Sequence, residues 1–168
     1  MILTERKTRV PLFVCLWGLF FLATTSHAAQ PVWQELRGDH FIVYYIQDDF
    51  FAREVMRKAE RCYQQVASDL GYARYANFWQ WDNRVKIRIY PDKASYVRAT
   101  RQPQWSTGNA NYFTKEVSSY VGSDRFVEET LPHEITHLVF RDFVGFKGDV
   151  PLWLDEGVAQ WQELSKRQ

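Results

Sequence analysis

Two histidines four residues apart constrain this chain more than any other feature. His133 and His137 enclose Glu134 in the run HEITH. On an α-helix, side chains four residues apart lie one above the other on the same face, so both imidazoles can reach one metal ion. The intervening glutamate lies about 100° round the helix, near enough to hold a water on that ion. The pattern therefore predicts that residues 133–137 are helical and that this helix carries a metal site.

A catalytic zinc site needs a third protein ligand and keeps one position for water. A third histidine six residues after the second is one known solution, but Phe143 stands there. Asp142 lies on the same helix, five residues beyond His137, and is too far round to close a compact site. Asp155 and Glu156 begin a separate segment that can fold back against the motif helix. Of these two acids we favour Glu156 as the third ligand.

The first residues have the pattern of a secretory signal peptide. A basic start (Arg6, Lys7 and Arg9) precedes an almost wholly apolar run at residues 10–23, and small residues stand at Ser26 and Ala28. We predict a signal peptide at residues 1–28, cleaved after Ala28, and an exported protein in the periplasm or outside the cell. The alternative is an uncleaved N-terminal segment that anchors the chain, although the apolar run is short for a membrane span.

Charge and cysteine content limit what the rest of the chain, residues 29–168, can be. Without residues 1–28 the chain has 18 basic and 19 acidic residues, a formal charge of −1. We therefore expect no nucleic-acid partner and no stable membrane insertion after cleavage. Cys62 is the one cysteine left, so no internal disulfide is expected, and we interpret it as a small buried residue. The length and a hydrophobic content of 46% suit one domain with one core.

Hydrophobic periodicity predicts an α+β fold, with a small mixed sheet and flanking helices. We expect strands at 40–46 and 85–90, a hairpin from 108–113 and 116–121, and helices at 50–70, 92–101, 125–143 and 151–165. Pro132 either kinks the third helix or begins the zinc helix proper. In the last helix we expect the inward side to carry Leu152, Trp153, Val158 and Ala159. The aromatic segment 72–81 is interpreted as an ordered loop that seals the core, or less favourably as a stacking platform for a ligand.

Two runs, HEITHLV at 133–139 and PLWLDEGVA at 151–159, resemble the gluzincin metallopeptidases. This group includes thermolysin and the zinc aminopeptidases, and the likeness is strongest to the peptidase-MA-like domains of exported bacterial proteins. The 18 residues between His137 and Glu156 are the spacing of the aminopeptidase branch. The resemblance implies a zincin-like catalytic lobe with the site between two helices, one Zn²⁺ per chain held by His133, His137 and Glu156, and Glu134 as general base. The implied activity is hydrolysis of peptide bonds in a peptide or protein substrate by a zinc-activated water.

The resemblance also nominates a substrate strand. Gluzincins carry an edge strand just before the zinc helix, and its counterpart here is Gly108, Asn109, Ala110, Asn111 and Tyr112. The aminopeptidases have on this strand a glutamate that holds the substrate's amino terminus. No acid stands there in this chain, so we expect an endopeptidase.

Further departures from the family concern the surroundings of the site. Thermolysin-like sites place an aspartate four residues after the glutamate ligand, where this chain has Gln160. Gluzincins continue into a helical subdomain that supplies an oxyanion donor, whereas this sequence ends 12 residues after Glu156. We therefore expect the domain to be incomplete at its C-terminus and to lack that subdomain. Otherwise Tyr112, Tyr120 or a partner chain must supply the donor.

Three other interpretations remain open. The first is a catalytically degenerate zinc-binding module with an assembly or peptide-binding role. The second is a structural zinc site, which would leave Glu134 without a role. The third is a buried, metal-free histidine pair.

Overall fold

A five-stranded mixed sheet lies at the centre of the computed structural model, which describes residues 32–71, 79, 83–123, 125–145 and 150–162. The strands are β1 (Gln34–Arg37), β2 (Phe41–Tyr45), β3 (Val85–Tyr90), β4 (Gly108–Asn111) and β5 (Glu116–Tyr120). Their order is β1-β2-β3-β5-β4, with β3 parallel to both of its neighbours and the two outer strands antiparallel. The predicted α+β class with a mixed sheet is confirmed. The predicted signal peptide lies outside the described residues.

Four α-helices accompany the sheet: α1 (Asp49–Asp69), α2 (Lys93–Thr100), α3 (Leu131–Phe143) and α4 (Leu152–Gln162). The side chain of Asp48 caps α1 by accepting a hydrogen bond from the Phe51 backbone N–H. The predicted apolar positions of α1 recur at helical spacing, so Val55, Ala59 and Val66 lie in the core with at most 1% of their surface exposed. All four predicted helices are present among the described residues, with shifted ends.

The sheet presents two different faces because successive side chains of a strand point in opposite directions. Val85, Ile87 and Ile89 of β3 are buried, with exposures of 0, 0 and 1%, and join one core cluster with α1 and α3. On the opposite face, the Tyr96 ring of α2 lies against Tyr90 of β3, with ring centroids 6.2 Å apart. Helix α3, which carries the HEITH run, thus lies on the core face of the sheet.

The entry into α3 corrects one prediction. Instead of a single helix from residue 125, a π-helical turn (Phe126–Thr130) precedes α3. Pro132 stands in the first turn of α3, a position that proline favours. The second of the two expectations for Pro132, that the zinc helix proper begins near it, is therefore correct to within one residue.

The face predicted for α4 is partly wrong. Leu152 and Trp153 were expected to point inward, but they are 71 and 75% exposed. Ala159 does point inward as predicted, and Asp155 and Gln162 share the buried side of the helix with it. Apolar side chains alone do not mark the inward face of α4, which turns a carboxylate toward α3 because His137 and Arg141 provide partners for it. Among the described residues, no helix combines the length and hydropathy needed to cross a bilayer.

The β4–β5 hairpin places the predicted substrate strand at the edge of the sheet. Gly108 pairs with Ser119 and Asn111 pairs with Glu116, which leaves a four-residue turn at 112–115. The predicted strands were therefore slightly too long, since Tyr112 and Phe113 belong to the turn. The side chain of Asn111 stabilises this turn by accepting hydrogen bonds from the backbone N–H groups of Phe113 and Thr114.

The absence of a side chain at Gly108 is explained by packing beneath the strand. A Cβ there would lie 2.9 Å from the Phe126 ring, which is fully buried. We expect Gly108→Ala to lower the free energy of unfolding by about 1–3 kcal/mol, as for overpacking of a core. The control is Gly157→Ala, where no atom lies within 4 Å of the added Cβ and helix propensity favours alanine. Urea unfolding of both variants tests this, and equal stabilities would contradict the packing explanation.

Candidate metal centre

Helices α3 and α4 pack together and bring the three predicted ligands to one point. The Nε2 atoms of His133 and His137 are 3.0 Å apart. Glu156 Oε2 lies 3.6 Å from His133 Nε2, and Glu156 Oε1 lies 3.7 Å from His137 Nε2. Within the described part of the chain, these are the residues whose donor atoms form a group able to hold a metal ion. The pairing of the HExxH helix with Glu156 is therefore present in the fold.

The spacing of these atoms fits a small tetrahedral ion. Two ligand atoms about 2.0–2.1 Å from a tetrahedral zinc lie about 3.3 Å apart. The two Nε2 atoms are 3.0 Å apart, and they lie at 3.6 and 3.7 Å from different oxygens of the Glu156 carboxylate. The two Nε2 atoms face each other, so at least one of them must present a lone pair to the space between them. A cation at this position would satisfy both lone pairs and the Glu156 carboxylate at once.

Glu134 lies beside this group, half-buried, with the Tyr112 hydroxyl 3.4 Å from its Oε2. Burial raises the pKa of the Glu134 carboxyl, and the Glu156 charge adds to this effect. The two histidines and the Tyr112 hydroxyl act in the opposite direction but do not cancel it. A carboxylate whose pKa is raised is a better proton acceptor at neutral pH than an exposed glutamate.

Asp155 is a component of the site that the sequence analysis passed over in favour of its neighbour. It is 2% exposed, and its Oδ1 lies 2.9 Å from His137 Nδ1. Arg141 binds the other oxygen, Oδ2, through Nη2 at 2.7 Å and Nε at 3.2 Å. Burial alone would raise the pKa of Asp155, but Arg141 and His137 outweigh burial and hold it below its usual range. Asp155 is therefore a carboxylate kept ionised behind the histidine pair.

Arg141 also connects this carboxylate to the hairpin turn. Its guanidinium carbon lies 4.1 Å from the centre of the Tyr112 ring, within cation–π distance. The same ring lies edge-on to His137, with centroids 5.9 Å apart. Burial, and next the Glu134 charge, raise the pKa of the Tyr112 hydroxyl, so that hydroxyl stays protonated and can donate to Glu134. Tyr112 thus contacts the expected base, Glu134, and the predicted ligand His137.

Asp142 lies outside the group of His133, His137 and Glu156 and has other partners among the described residues. Its Oδ2 accepts hydrogen bonds from Trp79 Nε1 at 2.5 Å and from Lys115 Nζ at 2.8 Å. Trp79 itself is 1% exposed and packs in the core, which agrees with the interpretation that segment 72–81 seals the core at this residue. The other residues of that segment lie outside the described part of the chain.

This arrangement makes Asp142 a stability residue. We expect Asp142→Ala to lower the free energy of unfolding by about 1–3 kcal/mol, because the Trp79 N–H is left buried without its acceptor. Zinc stoichiometry should stay at the wild-type value. Thermal unfolding and metal analysis of the same sample check both parts, and loss of zinc from a folded variant would contradict the exclusion of Asp142 as a ligand.

The predicted substrate residues lie on and beside β4, which pairs only with β5 among the described strands. Asn109 accepts a hydrogen bond from the Tyr96 hydroxyl at 3.1 Å, and Asn111 is occupied by the turn. Ala110 packs against the core. Tyr112 is thus the one residue of the predicted five with a described side-chain contact to Glu134 or His137. Tyr120, the other tyrosine considered as an oxyanion donor, packs against Tyr96 of α2 with ring centroids 5.5 Å apart.

No protein-family model matches this sequence, and no curated protein is significantly similar to it. The resemblance to gluzincins therefore stays a prediction carried by the residues of the two motifs.

Proposed function

We propose that this chain is an exported zinc-dependent peptidase of the gluzincin type, cleaving within peptide or protein chains. The observation that carries the proposal is the convergence of His133, His137 and Glu156 beside Glu134, produced by packing between two separate helices. A structural zinc site explains this less well, since Glu134 would then have no function and closed structural sites favour cysteine.

In the proposed mechanism, His133, His137 and Glu156 would hold one Zn²⁺, which supplies an acidified water and polarises the substrate carbonyl when bound. Glu134 takes the proton of that water and then gives it to the leaving amine. The Tyr112 hydroxyl, 3.4 Å from Oε2, orients the Glu134 carboxylate for both transfers. Burial around Glu134 raises its proton affinity, which suits a group that must accept a proton near neutral pH.

The proposed substrate path is the outer edge of β4. An extended peptide can add to such an edge through backbone hydrogen bonds, since β4 has its one described partner on the β5 side. The side chains of Asn109 and Asn111 have partners within the fold, and no carboxylate stands at positions 108–112 to hold an amino terminus. This supports internal cleavage rather than removal of terminal residues.

The test combines metal content with hydrolysis of an unstructured protein such as reduced casein. We expect about one zinc per chain, cleavage at internal bonds, loss of cleavage after chelation, and recovery on adding zinc. Purified protein that contains no zinc and takes up none would contradict the proposal.

A second candidate is the zinc-binding module without turnover, and one observation favours it. Leu152, Trp153 and Trp161 of α4 are each more than 70% exposed, a surface more usual in proteins that bind a partner. Zinc retention with no cleavage of any unfolded protein, identical in wild type and Glu134→Gln, would select this function.

A further inference from the structure

We propose that Asp155, held in place by Arg141, is the positioning residue that orients His137 for metal binding. This inference rests on the proposed function, since it concerns the same zinc site. The carboxylate partner of His137 is then the residue directly before the proposed ligand Glu156. Four residues after Glu156, where thermolysin-like sites have an aspartate, this chain has Gln160.

The first support is the pairing of two buried atoms. His137 Nδ1 and Asp155 Oδ1 lie 2.9 Å apart, and both residues are 2% exposed. Neither atom has a hydrogen bond to another described residue. Since a buried polar atom needs a partner, each of the two is the available partner of the other.

The second support is tautomer selection. A histidine that binds a metal through Nε2 must carry its proton on Nδ1, and a carboxylate next to Nδ1 favours that form. In His137, Nε2 faces His133 and Glu156, whereas Nδ1 faces Asp155. The side of the ring that faces the ligand group is therefore opposite to the side that faces the carboxylate.

The third support is the clamp on Asp155. Arg141 stands on α3, one turn after His137, and binds Asp155 Oδ2 with two nitrogens. The Tyr112 ring covers the guanidinium, whose side chain is 33% exposed. With Oδ2 of Asp155 held by Arg141, Oδ1 of the same carboxylate lies 2.9 Å from His137 Nδ1. Arg141 thus acts on the metal site through Asp155 and is itself a positioning residue.

The test measures zinc affinity by competition with a chelator. We expect Asp155→Asn to weaken zinc binding by about 10–100-fold, the usual effect of losing an outer partner of a ligand histidine. Arg141→Met should weaken it by a smaller factor, because Asp155 remains but is less constrained. A matched control is Asp49→Asn, which breaks an exposed aspartate–arginine pair on α1 and should leave zinc affinity unchanged.

A second measurement separates positioning from mere stability. In the zinc-loaded wild type, the His137 Nδ1 proton should resonate far downfield in the NMR spectrum, and this signal should be lost in folded Asp155→Asn. Asp155→Asn with wild-type zinc affinity, or with an unchanged Nδ1 proton signal, would overturn the positioning role while leaving the proposed function intact. Absence of zinc binding in the wild type would overturn both.

Discussion

Glu134→Gln should reduce kcat for peptide hydrolysis by about 10²–10⁴-fold while the protein keeps its zinc. Glutamine has nearly the same shape as glutamate but cannot accept the proton of the attacking water. It can still receive the hydrogen bond from the Tyr112 hydroxyl, so the local packing is conserved. Steady-state kinetics on an internally quenched peptide, with metal analysis of the same sample, measure both quantities.

The matched control for this substitution is Glu129→Gln, which makes the same chemical change two residues before α3. The Glu129 side chain is 43% exposed and pairs with Arg125, so its loss should leave kcat and zinc content unchanged. Wild-type activity in Glu134→Gln would show that another group acts as the base. Equal loss of activity in both variants would point to a general effect on folding.

Glu156→Gln should release zinc under conditions in which the wild type retains it. The carboxylate faces both histidines, at 3.6 and 3.7 Å, and is the only negatively charged member of the three-residue group. A neutral amide is a much weaker zinc ligand than a carboxylate. We expect zinc affinity to fall by more than the about 10–100-fold typical of an outer partner, and therefore by more than in Asp155→Asn.

The order of these two effects is informative because Asp155 and Glu156 are adjacent in sequence. If Asp155→Asn released zinc more readily than Glu156→Gln, the assignment of ligand and positioning residue would have to be exchanged. Glu156 is half-buried and Asp155 is fully buried, so the melting temperature of the metal-free variants must be measured alongside. If a metal-free variant unfolds at the assay temperature, the zinc affinities of the two variants would be compared at a lower temperature.

The parts of the fold that the sequence predicted well are those with strong hydrophobic periodicity. Strict alternation identified β3, and a three- and four-residue spacing identified α1. Strand β1 was not predicted, because Gln34–Arg37 is largely exposed and lies at an edge, where pairing with β2 rather than side-chain burial defines it.

The candidate site likewise contains residues that the sequence predicted and residues that it did not. His133, Glu134 and His137 follow from the geometry of one helix, so four-residue spacing was enough to place the two histidines together. The role of Asp155 could not be predicted, because it depends on how α4 is rotated about its axis against α3. The same rotation exposes Leu152 and Trp153, which the apolar pattern alone had placed inside.

The contact between Tyr112 and Glu134 is another feature that spacing could not specify. The two residues are 22 positions apart, and they meet because the four-residue turn between β4 and β5 lies over the motif helix. The sequence predicts Tyr112 only as a candidate donor on the substrate strand. Its position against the base and Arg141 depends on hairpin register, which the turn sequence did not determine.

The most direct test of the central claim is an X-ray anomalous difference map of the purified protein, recorded on both sides of the zinc absorption edge. The account predicts one peak per chain, about 2.0–2.2 Å from His133 Nε2, His137 Nε2 and a Glu156 carboxylate oxygen. No peak between these residues in zinc-supplemented crystals, with the two histidines instead hydrogen-bonded to each other, would contradict it.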